Sequence, residues 1–348
     1  MIIRLLYLLL GLLGLVRKKS AYVSFLIFVF VVIAFGWNYD NPDYENYLLK
    51  YEWNDGEIFL TAEIGFNFLC YIGNSLHLSF QEFRLFIGII SYLLLYLSIK
   101  KISYNLGLVA SIYLLFFLFI DVTQIRNLLS FTIVLFAFVK YIRDDSKIRD
   151  IILYTILVII ASSIHFSSIF FLVFIFALKD IKIIHVLVFA GLAGFFNTVI
   201  YLFLENYFDK ILNYTEDTAS TIAAIGFSFI QVLNYWIISA FMKKTRRSKL
   251  NMISVISPRM QEIILKCNML LISLIPFYFT GAIFTRLFRF TALINIIYLS
   301  NLIPRKRKFK YILALIIYAL YFHIMFNGFG LFTELANSVF NYNLLFSI

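Results

Sequence analysis

Short clusters of lysine and arginine interrupt an otherwise apolar chain, at Arg17-Lys18-Lys19, Lys100-Lys101 and residues 140–149, 179–182, 243–249 and 305–310. The runs between them, such as 21–37, 83–99, 183–204 and 221–242, have the length at which a helix crosses a hydrocarbon core, about 17–25 residues. In lipid, each backbone N–H and C=O must be bonded inside the segment, so such runs fold as spanning helices. Hydrophobic residues make up 62% of the chain and charged residues 14%, against roughly half and a quarter in soluble domains. The 348 residues hold material for about ten spans. The expected fold is an all-α polytopic integral membrane protein, one transmembrane domain over residues 1–348 with about 10–12 helices.

A net charge of +11 would suit nucleic acid if it formed a patch on a folded surface. Here it sits in loops between apolar runs, the pattern of cytoplasmic connections, so no nucleic-acid partner is expected. Cys70 and Cys267 lie in apolar sequence and make no disulfide framework. The first apolar run ends at Arg17 without a small-residue cleavage site, so a cleavable signal is not expected.

With the basic clusters inside, the first two enclose two spans, 21–37 and 83–99, and residues 38–81 are external. This loop opens with Asp40, Asp43, Glu45, Glu52, Asp55, Glu57 and Glu63 against a lone Lys50, and the moderately apolar 58–78 reads as an interfacial or partly inserted helix. Residues 106–120 run outward, 121–126 sit at the outer face, and 128–141 return. The next run, 151–178, begins and ends at cytoplasmic charge. Two α-helical arms of about 13 residues reach only about 20 Å each, so a short hairpin is expected, with its tip at Ser162-Ser163-Ile164-His165-Phe166-Ser167-Ser168. Such a tip must be buried in protein or line a watery cavity. Residues 183–204 lead to a second external loop, 205–220. Spans 221–242, 263–280, 287–303 and 311–325 follow, with 327–348 at the outer interface and the N-terminus outside.

Three arginines, Arg126, Arg286 and Arg289, fall at outer ends, against the charge bias. A charge there costs about 2.5–3.5 kcal/mol on insertion scales and usually faces a cavity with a partner. A lone arginine can snorkel to headgroups. Three together, two of them at i, i+3, point to an anionic ligand, because the guanidinium fork suits phosphate and carboxylate. His165 alone would be a packing residue, but among four serines at a buried tip it becomes a candidate for chemistry. In the first loop, Asp43, Tyr47 and Tyr51 share a helix face beside Tyr44. Tyrosines with carboxylates suit sugars, although an interfacial aromatic belt has the same composition. There is no metal-ligand spacing, no P-loop and no Gly-x-Ser-x-Gly, so no nucleotide, metal or cofactor is expected.

Taken in order, Asp43-Tyr44…Tyr47, Glu63-x-Gly65-Phe66, Gln124-x-Arg126, the His165 hairpin and Arg286-x-x-Arg289-Phe290 resemble the EpsG family, Wzy-type polymerases of bacterial exopolysaccharide, capsule and O-antigen. The resemblance runs from about residue 35 to 300. It departs at Asn127, where glutamine commonly follows the arginine, and at Phe166, where proline is frequent. It implies a glycosyltransferase C-like fold in the bacterial cytoplasmic (inner) membrane with its active site facing outward. The implied reaction joins oligosaccharide repeat units carried on undecaprenyl diphosphate, without metal or nucleotide sugar. Implied partners are the lipid-linked donor and acceptor, membrane lipid and a chain-length regulator. Arg126, Arg286 and Arg289 would hold diphosphate, and Tyr44, Tyr47 and Gln124 would touch sugar. His165 is the first candidate general base, with Asp43 and Glu63 as rivals. A flippase for lipid-linked oligosaccharide would also need cations, but such transporters show paired halves and no internal repeat is evident. A membrane O-acyltransferase would need a cytoplasmic acyl-CoA site, on the other side from His165. A ligase for finished glycan is the nearest related activity.

Overall fold

The computed structural model describes residues 2–53, 63–143, 145, 147–204, 221–247, 256–279, 287–303 and 308–345. The α-helices are α1 (Ile2–Val16), α2 (Ala21–Gly36), α3 (Tyr44–Glu52), α4 (Ile64–Ser75), α5 (Phe80–Ile102), α6 (Leu106–Phe116), α7 (Leu118–Thr123) and α8 (Ile125–Tyr141). They continue with α9 (Ile148–Ile164), α10 (Ile183–Leu204), α11 (Thr221–Arg247), α12 (Pro258–Leu270), α13 (Leu287–Asn301) and α14 (Lys308–Asn341). Two 3-10 helices are present: Phe166–Leu178 follows α9 across His165, and Leu271–Phe279 continues α12. An isolated antiparallel bridge joins Asn38 to Asn343. The all-helical polytopic reading is therefore correct.

Local chemistry sets the boundaries. Ser20 caps α2 by accepting from the Val23 N–H. Ser79 and Glu82 form a reciprocal capping box at α5, and Ser257 with Pro258 opens α12, each satisfying otherwise orphaned amides. Among the described residues three segments, Phe80–Ile102, Ala224–Lys243 and Pro258–Phe279, are long and apolar enough to cross a membrane, and seven shorter apolar helices accompany them. Helices α6, α7, α8 and α13 are buried on almost every face, as expected of helices apolar all round. Around them, α1 exposes Leu5, Leu8 and Leu12, α9 exposes Ile152, Ile156 and Ile159, and α11 exposes Phe229, Val232 and Trp236. These stripes recur at helical spacing and present carbon outward, as a lipid-facing wall does.

Several basic clusters meet at one end of the bundle. The Leu108 N–H donates to the Lys18 carbonyl at 3.1 Å, Lys19 Nζ reaches the Tyr104 hydroxyl, and Lys101, Arg143 and Ser257 line one cavity. At the opposite end the Tyr39 N–H donates to the Tyr342 carbonyl at 3.0 Å and the Leu344 N–H to the Trp37 carbonyl at 2.9 Å. Arg4 donates to Asn341 Oδ1 there at 3.0 Å. This second end is organised around the end of α2, whose last four carbonyls all find side-chain donors. Asn343 Nδ2 serves Ile33 and Ala34, Arg84 serves Phe35, and Gln81 serves Gly36. A helix end normally leaves these acceptors unsatisfied.

Two expectations change in detail. The hairpin is not short. Helix α9 has 17 residues, about 26 Å. The 13 residues of its returning arm are 3-10, and at about 2.0 Å per residue they also reach about 26 Å. Tyrosine hydroxyls bond that arm's carbonyls: Tyr154 to Phe171 at 2.7 Å and Tyr141 to Phe174 at 2.9 Å. The last helix also runs on. The sequence places a span at 311–325 and a separate outer stretch from 327, whereas α14 is continuous for 34 residues. Gly328 and Gly330 each cost about 1 kcal/mol in a helix but do not stop one.

Candidate active site

Three element ends meet beneath α3. Glu63 immediately precedes α4, Arg126 lies in the first turn of α8, and His165 sits at the hairpin tip between α9 and the 3-10 arm. Glu63 is the hub: one carboxylate oxygen is in contact with Arg126 Nη1, and the other lies 3.1 Å from His165 Nδ1. Arg126 Nε donates to the Tyr47 hydroxyl at 3.3 Å, and its guanidinium lies over the Tyr47 and Phe66 rings at 5.1 and 5.8 Å. The Glu63, Arg126 and His165 side chains are only 12%, 16% and 4% exposed, so their charges interact with little screening by water. The polar heart of the tip is buried in protein, with His165, Ser167 and Ser168 all nearly inaccessible, while Phe166 faces outward.

Gly65 permits this approach. A Cβ there would lie 2.2 Å from Ser163 Oγ and 3.0 Å from the Ser163 carbonyl carbon. Gly65→Ala is expected to push the hairpin tip off α4 at a cost of about 1–3 kcal/mol. The check is a lowered Tm in detergent, and an unchanged Tm would refute the close contact.

The other expected residues are distributed around this centre. Tyr47 and Tyr51 form the buried face of α3, as their spacing implies. Asp43, one turn before Tyr47, accepts the Tyr47 N–H on its backbone carbonyl at 3.1 Å. The Tyr44 hydroxyl donates to Gln81 Oε1 at 3.2 Å. Gln124 occupies the break between α7 and α8, and its Oε1 accepts from Asn127 at 2.8 Å. Arg289 lies in a second, fully buried cluster, where it contacts Asp121. Tyr113 donates to the other Asp121 oxygen, and the Arg289 guanidinium lies 5.3 Å above the Phe131 ring. Arg286, loop 205–220 and the middle of loop 38–81 lie outside the described residues.

Sequence reasoning passed over Asp121, Tyr113, Arg84 and Arg4. Asp121 was legible as an acid at the end of an apolar run, and Arg84 as a cation at the start of one, by the same criterion that singled out the three arginines. Arg126 and Arg289, which have no acid partner obvious in sequence, are both paired with carboxylates in the fold.

These features define a multi-pass helical membrane protein in which a carboxylate, an arginine, a histidine and a tyrosine converge at one end of the bundle. The chain belongs to the EpsG family, whose model matches residues 21–344. The family is related to the Wzy-type polysaccharide polymerases, which implies a glycosyltransferase-like role in polysaccharide biosynthesis. No curated protein and no solved structure matches the chain.

Proposed function

We propose that the protein polymerises oligosaccharide repeat units carried on undecaprenyl diphosphate, at the external face of the bacterial cytoplasmic membrane. The observation that carries this reading is a single carboxylate, Glu63, shared between an arginine and a histidine at the end of the bundle away from the lysine-rich loops. In the proposed reaction a hydroxyl of the incoming unit attacks the anomeric carbon of the growing chain. The glycosidic C–O bond forms, the anomeric carbon–phosphate oxygen bond breaks, and undecaprenyl diphosphate leaves. His165 takes the hydroxyl proton. With Nδ1 facing Glu63, that transfer falls to Nε2, and the carboxylate stabilises the imidazolium. Arg126 spends Nη1 on Glu63 and Nε on Tyr47, which directs Nη2 to a phosphate oxygen. Arg286 adds to the neutralisation of the leaving group, a large electrostatic contribution in a site poor in water, and Arg289, buried against Asp121, acts on it only at longer range. Tyr44, Tyr47 and Gln124 hold sugar, and Asp43 is the alternative base. A glycosyltransferase C-like architecture suits such a reaction.

The test is the surface-glycan ladder of a strain lacking the gene, complemented with wild type or His165→Ala. Single lipid-linked units should accumulate on the outer face and be rescued by wild type alone. A normal ladder with His165→Ala at wild-type protein level would remove His165 as base. Units trapped on the cytoplasmic face would make the protein a flippase, and altered acetylation of an intact ladder would make it an acyltransferase.

A further inference from the structure

Arg84 is fully buried within the second turn of α5. The other two arginines described at this end of the bundle and shielded from water are paired with carboxylates. None of the ion pairs among the described residues includes Arg84. Its Nη2 instead donates to two backbone carbonyls, Phe35 at 3.2 Å and Val122 at 3.1 Å. Its guanidinium is enclosed by the rings of Phe35, Tyr44 and Phe80, with centroids at 5.1, 5.4 and 5.9 Å. Burial raises the Tyr44 hydroxyl above its ordinary range, and the Arg84 charge draws it only part of the way back. At neutral pH that phenol is uncharged and does not offset the cation.

The offset comes from helix ends. Phe35 lies in the last turn of α2 and Val122 in the last turn of α7, where unsatisfied carbonyls gather up to about half a negative charge per helix. The three ring faces add cation–π attraction. Arg84 thus joins two neighbouring carbonyl poles through one nitrogen.

One of those poles belongs to the active site. Val122 precedes the break at Gln124, from which α8 starts and carries Arg126 in its first turn. Its other neighbour, Asp121, holds Arg289. On the far side of the guanidinium, Tyr44 shares α3 with Tyr47, which touches Arg126. We propose that Arg84 is a positioning residue that staples the α7–α8 turn to the end of α2 and thereby places Arg126 against Glu63. The consequence for catalysis rests on the polymerase reading; the consequence for placement does not.

The test combines hydrogen exchange with polymerisation on the full-length protein in lipid nanodiscs, comparing wild type, Arg84→Met and Arg84→Lys. Methionine keeps the bulk and removes charge and donors, whereas lysine keeps charge and donors without the planar face. In Arg84→Met, amide exchange across residues 118–128 should rise about tenfold or more, while the hairpin arms stay at wild-type protection. The kcat for polymerisation should fall by at least about tenfold with KM nearly unchanged, and lysine should restore most of both. General misfolding would raise exchange everywhere and would not respond to lysine. Should Arg84→Met fail to accumulate, Arg84→Gln carries the same comparison, since it keeps a donor and loses the charge. Unchanged exchange at 118–128 in a charge-free variant overturns the staple. Faster exchange with a normal ladder overturns the role in catalysis. If His165→Ala also leaves the ladder normal, the failure lies with the polymerase reading and the staple stands.

Discussion

Under the polymerase reading, Glu63→Gln is expected to lower polymer formation by about 10²–10⁴-fold, the usual worth of acid–base catalysis, with the protein present at wild-type level. Glutamine preserves the shape of the side chain but removes the charge that serves two partners at once. Arg126 loses its ion pair, and an imidazolium forming at His165 loses the carboxylate 3.1 Å from Nδ1. The amide also presents an N–H2 group to one of two partners that both require an acceptor. The measurement is chain length and rate with purified lipid-linked repeat units in proteoliposomes. Glu63→Asp serves as a control that keeps the charge with a shorter reach, and it should retain more activity than glutamine. Wild-type rates with Glu63→Gln would sink both the base assignment and the shared-carboxylate argument.

Asp121→Leu should be the most destabilising single change at the second cluster, by about 3–5 kcal/mol, because it leaves a buried cation uncompensated. Arg289 is 1% exposed and its carboxylate partner 0%, so water offers little relief. The double variant Asp121→Leu/Arg289→Met should recover most of the lost stability, since an apolar pair of similar volume removes the uncompensated charge altogether. Thermal unfolding in detergent reads both values. A loss in the double variant equal to the sum of the Asp121→Leu and Arg289→Met losses would show that the two residues are not coupled. Under the polymerase reading the double variant should stay inactive despite its recovered stability, separating the part Arg289 plays in folding from its part in binding.

What the sequence reveals here follows from the range over which each signal acts. Helix existence and the clustering of lysines at one end are written in composition and charge over windows of about 20 residues. The buried face of α3 is written in the spacing of Tyr47 and Tyr51. Neither signal carries pairing information: Glu63 lies 63 residues from Arg126 and 102 from His165, and no periodicity connects them. Rise per residue is also silent. The apolar run 166–178 reads the same as α or 3-10, so the reach of the hairpin was underestimated. Asp121 and Arg84 escaped because each stands at the edge of an apolar run and was absorbed into a boundary, although burial makes both central.

The joint at the end of α2 also has a place in time. The amide of Asn343 closes on carbonyls made 309 and 310 residues earlier, and Ser338 and Tyr342 receive the Asn38 amide in the same way. A chain grows from its N-terminus, so α2 waits while more than 300 further residues are made, its Ile33 and Ala34 carbonyls lacking these donors. The frame that Arg84 shares is therefore finished by a segment made long after α2 and α5. The joint at this end of the bundle is thus complete only in chains whose 338–344 segment has been made and docked.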